Sequence, residues 1–261
     1  MYLYEGHMGT LYFSDRKLEF RELYCEQCGD SDFLLGEVNT WKEAVDAIGI
    51  DDIQVDSYDG GFARDYIYEV FSEFDDIPPE EEFYAYLKKL KIEKAFENAY
   101  ALKYEKNAEY DLDYYNEILT EEFPFIKEEK EEVITEYVKE YLNIRTWLDE
   151  IPDGWRKAFG LNLLYDLKEA LALDGTSDEF AFLEIKEKYG ALRITATGCG
   201  EKTNEVIEKY GKLSKYYCVY CGKKAKFITQ SWICPWCEEC INIIHDSYKP
   251  IEEVYPDIVK E

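Results

Sequence analysis

The stretch from Cys218 to Cys240, CVYCGKKAKFITQSWICPWCEEC, decides the fold of the C-terminal part of this chain. It holds two Cys-x-x-Cys pairs, and fifteen residues separate Cys221 from Cys237. A two-residue gap lets one turn direct two thiolates at one metal ion, and zinc prefers four such ligands in a tetrahedron. The spacing therefore predicts a zinc ribbon in which Zn²⁺ is bound by Cys218, Cys221, Cys237 and Cys240.

The predicted zinc is structural rather than catalytic, because a closed shell of four thiolates leaves no position for a reactive water. Cys234 and His245 lie close enough in sequence to replace one of the four ligands. Buried free thiols without a metal are the alternative interpretation. Paired cysteines at ribbon-like spacing favour the metal.

Cys25 and Cys28 form a third pair, far from the other two in sequence. They could bind a separate metal if His7 or Cys199 folded beside them, which would complete more of a ligand set. A tight turn between two strands is the simpler interpretation. The pair is therefore not part of the predicted zinc site.

Acidic residues dominate the first 150 positions. The 261-residue chain has a net charge of −27, and the segments 1–62, 63–150 and 151–261 carry −10, −14 and −3. Such a surface repels the phosphates of nucleic acids and anionic lipids. We therefore expect a partner protein with a basic surface.

The chain also predicts a folded cytoplasmic protein. Its hydrophobic fraction of 46% can fill a core. Met1–Glu5 lacks the basic start and apolar run of a secretory signal, and charges are nowhere absent over the length of a membrane-spanning helix. Cysteine pairs in such a chain are typical of metal ligands in a reducing compartment.

Alternating apolar and polar residues predict a small antiparallel sheet near the N-terminus. The predicted strands are Thr10–Phe13, Leu18–Tyr24 and Phe33–Leu35. A helix should follow, because Thr40 has a glutamate three residues later, which is the spacing of a capping box. Gly49 can end that helix.

The pattern becomes helical from Pro78 to about Glu150. One helix should begin near Pro79, with glutamates in its first turn, and a second should run from about Glu128 to Leu142. Polar faces rich in acids indicate that both helices are exposed on one side.

The C-terminal segment mixes helices and strands before the ribbon. It should contain a helix from Trp155 to Leu171, a strand pair at Phe180–Ile185 and Ala191–Thr195, and a helix from Thr203 to Leu213. The predicted fold class is α+β. Its three parts are a small sheet with a helix (1–62), an acidic helical region (63–150) and a helix/strand unit ending in a zinc ribbon (151–261).

Four segments carry a resemblance to known sequences: Pro152–Gly160, Glu184–Arg193, Cys218–Gly222 and Trp232. Together they resemble a group of uncharacterised bacterial and phage zinc-ribbon proteins, in which the last ligand is often histidine where this chain has Cys240. The segment 25–47 also looks like a small module of phage-encoded proteins. The resemblance implies a mobile-element origin and a zinc-ribbon end, and it brings no activity with it.

The sequence indicates no catalytic site. His7 and His245 are its only histidines, and the motifs of serine hydrolases and zinc proteases are missing. Gly198–Thr203 looks like a phosphate-binding loop, but Glu201 stands where such a loop needs glycine. An ordinary turn with Thr203 as helix cap is the better interpretation.

Two other arrangements would give the chain a chemical function. Lys188 and Arg193 could bind an anion, although a hairpin in which charged residues pair with Glu184 and Glu187 is favoured. A metal-dependent enzyme would need acids to converge in a pocket, and the candidates are Asp111, Asp113 and Glu117.

The leading hypothesis is a non-catalytic phage or prophage protein, an inhibitor or adaptor that binds a host protein through an acidic, DNA-mimic-like surface. That host protein would act in defence or on nucleic acids. Tyrosines among the acids, such as Tyr114, add contact area. The alternative is nucleic-acid binding through the ribbon, because Cys199–Ile233 carries a net charge of +4 and several aromatic residues.

Overall fold

The computed structural model describes residues 1–55, 61–103, 109–128 and 145–255. Helices and strands are mixed, with a small antiparallel sheet near the N-terminus and short strands around the C-terminal cysteines, which confirms the predicted fold class. The chain divides into two compact units, Met1–Lys94 and Ala95–Glu261. The predicted division into 1–62, 63–150 and 151–261 stays a prediction.

The first unit combines a three-stranded sheet with helices. Its elements are β1 (Tyr2–Gly6), β2 (Thr10–Ser14), α1 (Phe20–Leu23), β3 (Tyr24–Cys25), β4 (Asp30–Ser31), β5 (Phe33–Glu37), α2 (Trp41–Ile48), β6 (Ile53–Gln54), β7 (Phe62–Ala63), α3 (Arg64–Phe71) and the beginning of α4 (Glu80–Leu102). β1 pairs antiparallel with β2 and β5, and β3 pairs with β4. Leu3, Trp41, Phe71 and Phe83 share one buried core, so the sheet and the helices stabilise each other.

The predicted strand Leu18–Tyr24 is wrong, because most of this segment forms α1. Glu19 and Glu22 cap each other's backbone amides across the first turn, and Arg16 forms an ion pair with the Glu22 carboxylate. These polar contacts stabilise a helical turn where the alternation of apolar residues predicts a strand. The central strand of the sheet, β1, was not predicted from the sequence.

The helix predicted after Thr40 is confirmed as α2. The Thr40 hydroxyl accepts a hydrogen bond from the Glu43 amide at 3.2 Å, and the Glu43 carboxylate accepts one from the Asn39 amide at 2.7 Å. Gly49 ends the helix with a φ of 92°, which suits a residue without Cβ. Both ends of α2 are therefore set by local residue chemistry.

The described part of the second unit contains most of the remaining helices and two small sheets. Its elements after α4 are α5 (Glu109–Glu122), α6 (Asp153–Trp155), α7 (Leu161–Asp174), β8 (Ala181–Lys188), β9 (Ala191–Thr197), α8 (Glu201–Leu213), β10 (Phe227–Thr229), β11 (Pro235–Trp236), β12 (Tyr248–Pro250) and α9 (Ile251–Val254). A short π-helix, Arg156–Gly160, joins α6 to α7. The helices predicted near Pro79, Trp155 and Thr203 are confirmed. The predicted helix Glu128–Leu142 lies, apart from Glu128, outside the described residues.

The predicted strand pair is confirmed as the hairpin of β8 and β9. Lys188 pairs with Ala191, and the two residues between them, Tyr189 and Gly190, have φ values of 54° and 75°. Positive φ at both positions is typical of the tight turn that matches the strand twist. On the exposed face of β8, the Lys186 side chain forms an ion pair with the Glu184 carboxylate, in keeping with the favoured hairpin interpretation.

None of the helices in the described ranges combines the length and the apolar character that crossing a lipid bilayer requires.

Candidate metal centre

The structure brings the four cysteines predicted as ligands together. The Sγ atoms of Cys218, Cys221, Cys237 and Cys240 all lie within 4.8 Å of one another, and those of Cys221 and Cys237 are 3.5 Å apart. Zinc–sulfur bonds of about 2.3 Å in a tetrahedron give sulfur separations of roughly 3.8 Å. The four side chains can therefore hold one metal ion.

The first cysteine pair lies on a turn whose backbone is closed by hydrogen bonds. The Gly222 amide donates to the Cys218 carbonyl at 3.0 Å, and the Cys218 amide donates to the Lys223 carbonyl at 2.7 Å. Gly222 has a φ of 80°, in the left-handed region that favours glycine. This turn directs both thiols of the pair to the same side.

The second pair stabilises a thiolate through its own backbone. Burial raises the pKa of the Cys237 thiol, but the Cys240 amide, which donates to Cys237 Sγ at 3.4 Å, and the neighbouring thiols outweigh burial and lower that pKa to about 7. A depressed thiol pKa favours the charged form that binds metals. The lowered pKa of Cys237 therefore favours its role as a metal ligand.

A short three-stranded sheet supports the cysteine turns. β10 is its central strand, between β11 and β12, and the Ile228, Ile241 and Ile251 side chains are buried around it. The strands have only two or three residues each. Such a small sheet buries too little apolar surface to be stable alone, so the metal would be its main cross-link.

The segment Pro152–Trp155 forms the surface on which the first cysteine turn docks. The Gly154 amide donates to the Val219 carbonyl at 3.0 Å, and the fully buried Trp155 donates from Nε1 to the Tyr217 carbonyl at 3.0 Å. A Cβ on Gly154 would lie 2.1 Å from the Cys218 carbonyl oxygen. In the sequence this segment stands out only by its resemblance, because its structural role depends on contacts across more than 60 residues.

A buried arginine, Arg156, directly follows the docking segment Pro152–Trp155 and stabilises it. Arg156 is 1% exposed, its Nη1 donates to Asp149 at 2.9 Å, and its guanidinium lies over the Phe96 and Tyr100 rings. Burial lowers the pKa of Arg156, while the Asp149 carboxylate opposes that shift. A paired, ring-stacked guanidinium fixes the π-helical turn next to Trp155.

The two possible replacement ligands are not in the four-cysteine group, although both belong to the described part of the chain. Cys234 is buried, which raises the pKa of its thiol to about 12, and its amide donates to the Thr229 hydroxyl at 3.1 Å. Neither Cys234 nor His245 is among the residues whose ligand atoms converge. Cys199 is also outside the group, with its thiol directed at the Thr197 carbonyl.

A second group of possible ligands lies in the first unit. The ligand atoms of His7, Cys25 and Cys28 lie within 4.8 Å of one another. The Asp32 carboxylate accepts hydrogen bonds from His7 Nδ1 at 2.7 Å and from the His7 amide at 2.9 Å, and the side-chain bond raises the pKa of His7. His7 and Cys199 were the two residues considered as further ligands beside Cys25 and Cys28. The structure places His7 beside the pair, and Cys199 is not in this group.

The phosphate-loop candidate, Gly198–Thr203, is already occupied by a carboxylate of the protein. Asp174 accepts hydrogen bonds from the Lys202 amide at 3.1 Å and from the Thr203 amide and hydroxyl at 2.8 Å. Asp174 therefore caps α8, and Thr203, which was expected to be the cap, lies buried inside the helix. A phosphate would compete with this carboxylate for the same amides.

Replacing Asp174 with asparagine should destabilise the fold in a pH-dependent way. Backbone hydrogen bonds lower the pKa of Asp174 below its ordinary 3.8, so its contribution is complete above that pH and is lost as the pH falls through the folded-state pKa. We expect the difference in melting temperature between wild type and Asp174→Asn to shrink on acidification. An equal difference at neutral pH and at about pH 3 would contradict this prediction, and Asp178→Asn is the control.

The acids proposed for a metal-dependent enzyme do not form such a site. Among the described residues, no converging group of three ligands includes Asp111, Asp113 or Glu117. The first unit has a cavity of about 440 Å³ whose described lining includes the carboxylates of Glu5 and Asp52. That lining, as far as it is described, pairs no nucleophile with a base.

No family model matches this chain, and no match was found among curated proteins or solved structures. The resemblance to bacterial and phage zinc-ribbon proteins therefore stays a prediction.

Proposed function

We propose that the protein is a non-catalytic binding protein, in which Zn²⁺ at the four cysteines stabilises the scaffold and an acidic surface binds a partner. Four thiolates suit zinc, and they fill its tetrahedral shell. In this proposal the zinc has a structural role, because its binding free energy stabilises the fold.

The observation that carries the binding proposal is a run of exposed carboxylates in the first unit. Residues 65–87 contain eight acids and no base. All eight are exposed, and we call them the acidic surface: Asp65, Glu69, Glu73, Asp75, Asp76, Glu80, Glu81 and Glu82. Apolar residues of the same stretch belong to the buried core: Ile67, Phe71, Phe74, Phe83 and Leu87.

A buried apolar face gives the acidic surface a fixed backbone. Carboxylates held this way can imitate rows of DNA phosphates and attract a protein with a basic, nucleic-acid-binding face. The resemblance to phage-encoded proteins supports the narrower proposal of an inhibitor or adaptor that acts on a host protein. Rapid, salt-sensitive association follows from such charge complementarity.

The alternative, nucleic-acid binding through the ribbon, is disfavoured by the lysines that should carry it. Five of the seven bases in Cys199–Ile233 form ion pairs with carboxylates: Lys202, Lys209, Lys212, Lys223 and Lys226. These pairs neutralise the local positive charge. The exposed Trp232 still offers a ring for stacking on a base.

Charge reversal on the acidic surface should release the partner. We expect tagged wild-type protein to retain a specific protein from nuclease-treated bacterial lysate. A triple variant should retain at least about tenfold less of it, because each exposed charge adds to attraction and steering. The variant combines Glu73→Lys, Asp75→Lys and Asp76→Lys. The measurement is quantitative mass spectrometry of the retained proteins at moderate salt.

A matched variant distinguishes the effect of the acidic surface from the effect of the net charge. Glu169→Lys, Asp178→Lys, Glu179→Lys combined reverses three exposed acids of the second unit and changes the net charge equally. If both triple variants release the partner alike, or if wild type retains only nucleic acid before nuclease treatment, the proposed acidic interface is wrong. Retention lost only with the first variant supports it.

A further inference from the structure

The turn that carries Cys25 and Cys28 has the same backbone arrangement as the first turn of the four-cysteine group. Both have the sequence Tyr-Cys-x-x-Cys-Gly, starting at Tyr24 and at Tyr217. The Gly29 amide donates to the Cys25 carbonyl at 2.9 Å, as the Gly222 amide does to Cys218 at 3.0 Å. The two glycines have φ values of 73° and 80°.

The pairing on either side of the two turns also corresponds. Tyr24 pairs with Ser31 across the first turn, and Tyr217 pairs with Lys224 across the second, so each turn encloses the same number of residues. Nothing in a plain strand connection requires two thiols on the same side of such a turn. The first unit thus contains a second copy of the turn that carries Cys218 and Cys221.

The third ligand comes from a different strand pair. His7 lies in the turn between β1 and β2, where its ring reaches the two thiols. Asp32 accepts from His7 Nδ1, and the Tyr12 hydroxyl donates to the other Asp32 oxygen at 2.7 Å. A histidine that donates from Nδ1 to a carboxylate presents the lone pair of Nε2, and zinc-binding histidines commonly donate their other ring N–H to a carboxylate in this way.

We propose that His7, Cys25 and Cys28 bind a second zinc ion, separate from the one at the four cysteines. Two thiolates and one imidazole are a donor set that zinc accepts. Three protein ligands leave the fourth position of the tetrahedron to water or to a ligand from solution. Cys28 and His7 are exposed, so this position faces solvent.

Metal content of the full-length protein tests the second site. Elemental analysis of protein purified in zinc should give two zinc ions per chain, and Cys28→Ser or His7→Gln should reduce this to one. Cys199→Ser is the matched control, because Cys199 belongs to neither group, and it should retain two. A wild type with one zinc, or a His7→Gln variant that keeps two, would overturn the proposal.

Cobalt substitution and mass spectrometry distinguish the second site from the four-cysteine site and from a disulfide. Cobalt bound at the second site in Cys237→Ser protein should show weaker thiolate charge-transfer absorption than the four-cysteine site, because two thiolates contribute instead of four. A Cys25–Cys28 disulfide, detected by mass spectrometry in protein that lacks the second zinc, would also overturn the proposal. Both results are independent of whether the acidic surface binds a partner.

The Asp32 carboxylate should act as a positioning group. Asp32→Asn is expected to weaken zinc binding at this site by about 10- to 100-fold, measured by competition with a chromophoric chelator, because outer-shell hydrogen bonds orient the ligand and raise its basicity. Affinity at the four cysteines should stay unchanged. If Asp32→Asn leaves both affinities as in wild type, His7 is not held as a ligand by Asp32.

Discussion

Replacing Cys237 with serine is expected to release the metal from the four-cysteine site and to unfold the ribbon, residues 217–250. Zinc contributes on the order of 10 kcal/mol to the folding of small zinc domains. The three strands of the ribbon, with a few buried residues such as Ile228 and Ile241, cannot replace that contribution. Hydrogen exchange should show lost protection at the amides of Cys218, Lys226 and Thr229, which are hydrogen-bonded in the native ribbon.

The rest of the second unit provides the internal comparison. Amides in α7 should keep most of their protection, since its buried residues, such as Leu164 and Leu167, pack outside the ribbon. Cys234→Ser is the control, because Cys234 is buried but is not among the four converging cysteines. Wild type treated with chelator, or acidified until thiolates are protonated, should behave like Cys237→Ser. Unchanged exchange in metal-free protein would show that the ribbon folds without the ion.

The elements that local chemistry determines were predictable from the sequence. The α2 helix is capped at Thr40 and ends at Gly49, and a two-residue turn connects the strands of the β8–β9 hairpin. The spacing of Cys218 and Cys221 predicted one half of the candidate metal centre for the same reason. In each case the interacting groups are neighbours in the chain.

Prediction failed where side-chain hydrogen bonds overrode the sequence pattern. Leu18–Tyr24 alternates like a strand, but reciprocal capping by Glu19 and Glu22 stabilises a helical turn. Thr203 was expected to cap its helix, but α8 already begins at Glu201, where Asp174 of α7 accepts hydrogen bonds from the Lys202 and Thr203 amides. Apolar alternation is a weak signal over so few residues, and side-chain hydrogen bonds can reverse it.

Apart from the meeting of the two C-terminal cysteine pairs, long-range contacts could not be predicted from periodicity or spacing, which describe residues near one another in the chain. His7 joins Cys25 and Cys28 because two separate strand pairs place their turns together. Gly154 contacts the Cys218 turn because more than 60 intervening residues fold back on it. Contacts of this kind need the tertiary structure.

The second large effect is expected from Gly154→Ala, a change of one methyl group. The new Cβ would lie 2.1 Å from the Cys218 carbonyl oxygen and 2.7 Å from the Gly222 amide nitrogen. Both atoms belong to backbone, which cannot move aside like a flexible side chain. Overpacking of this kind typically costs about 1–3 kcal/mol, and it would push the first cysteine turn away from its docking surface.

Two readouts should therefore change together in Gly154→Ala. The melting temperature should fall, and zinc affinity should weaken in chelator competition, because displacing Cys218 and Cys221 disturbs the tetrahedron. Gly211→Ala is the matched control, since its Cβ would meet only the Leu192 carbonyl at 3.2 Å and alanine favours the helix that contains it. A Gly154→Ala protein with wild-type stability and zinc affinity would show that the first cysteine turn does not depend on this contact, and that the metal alone fixes its position.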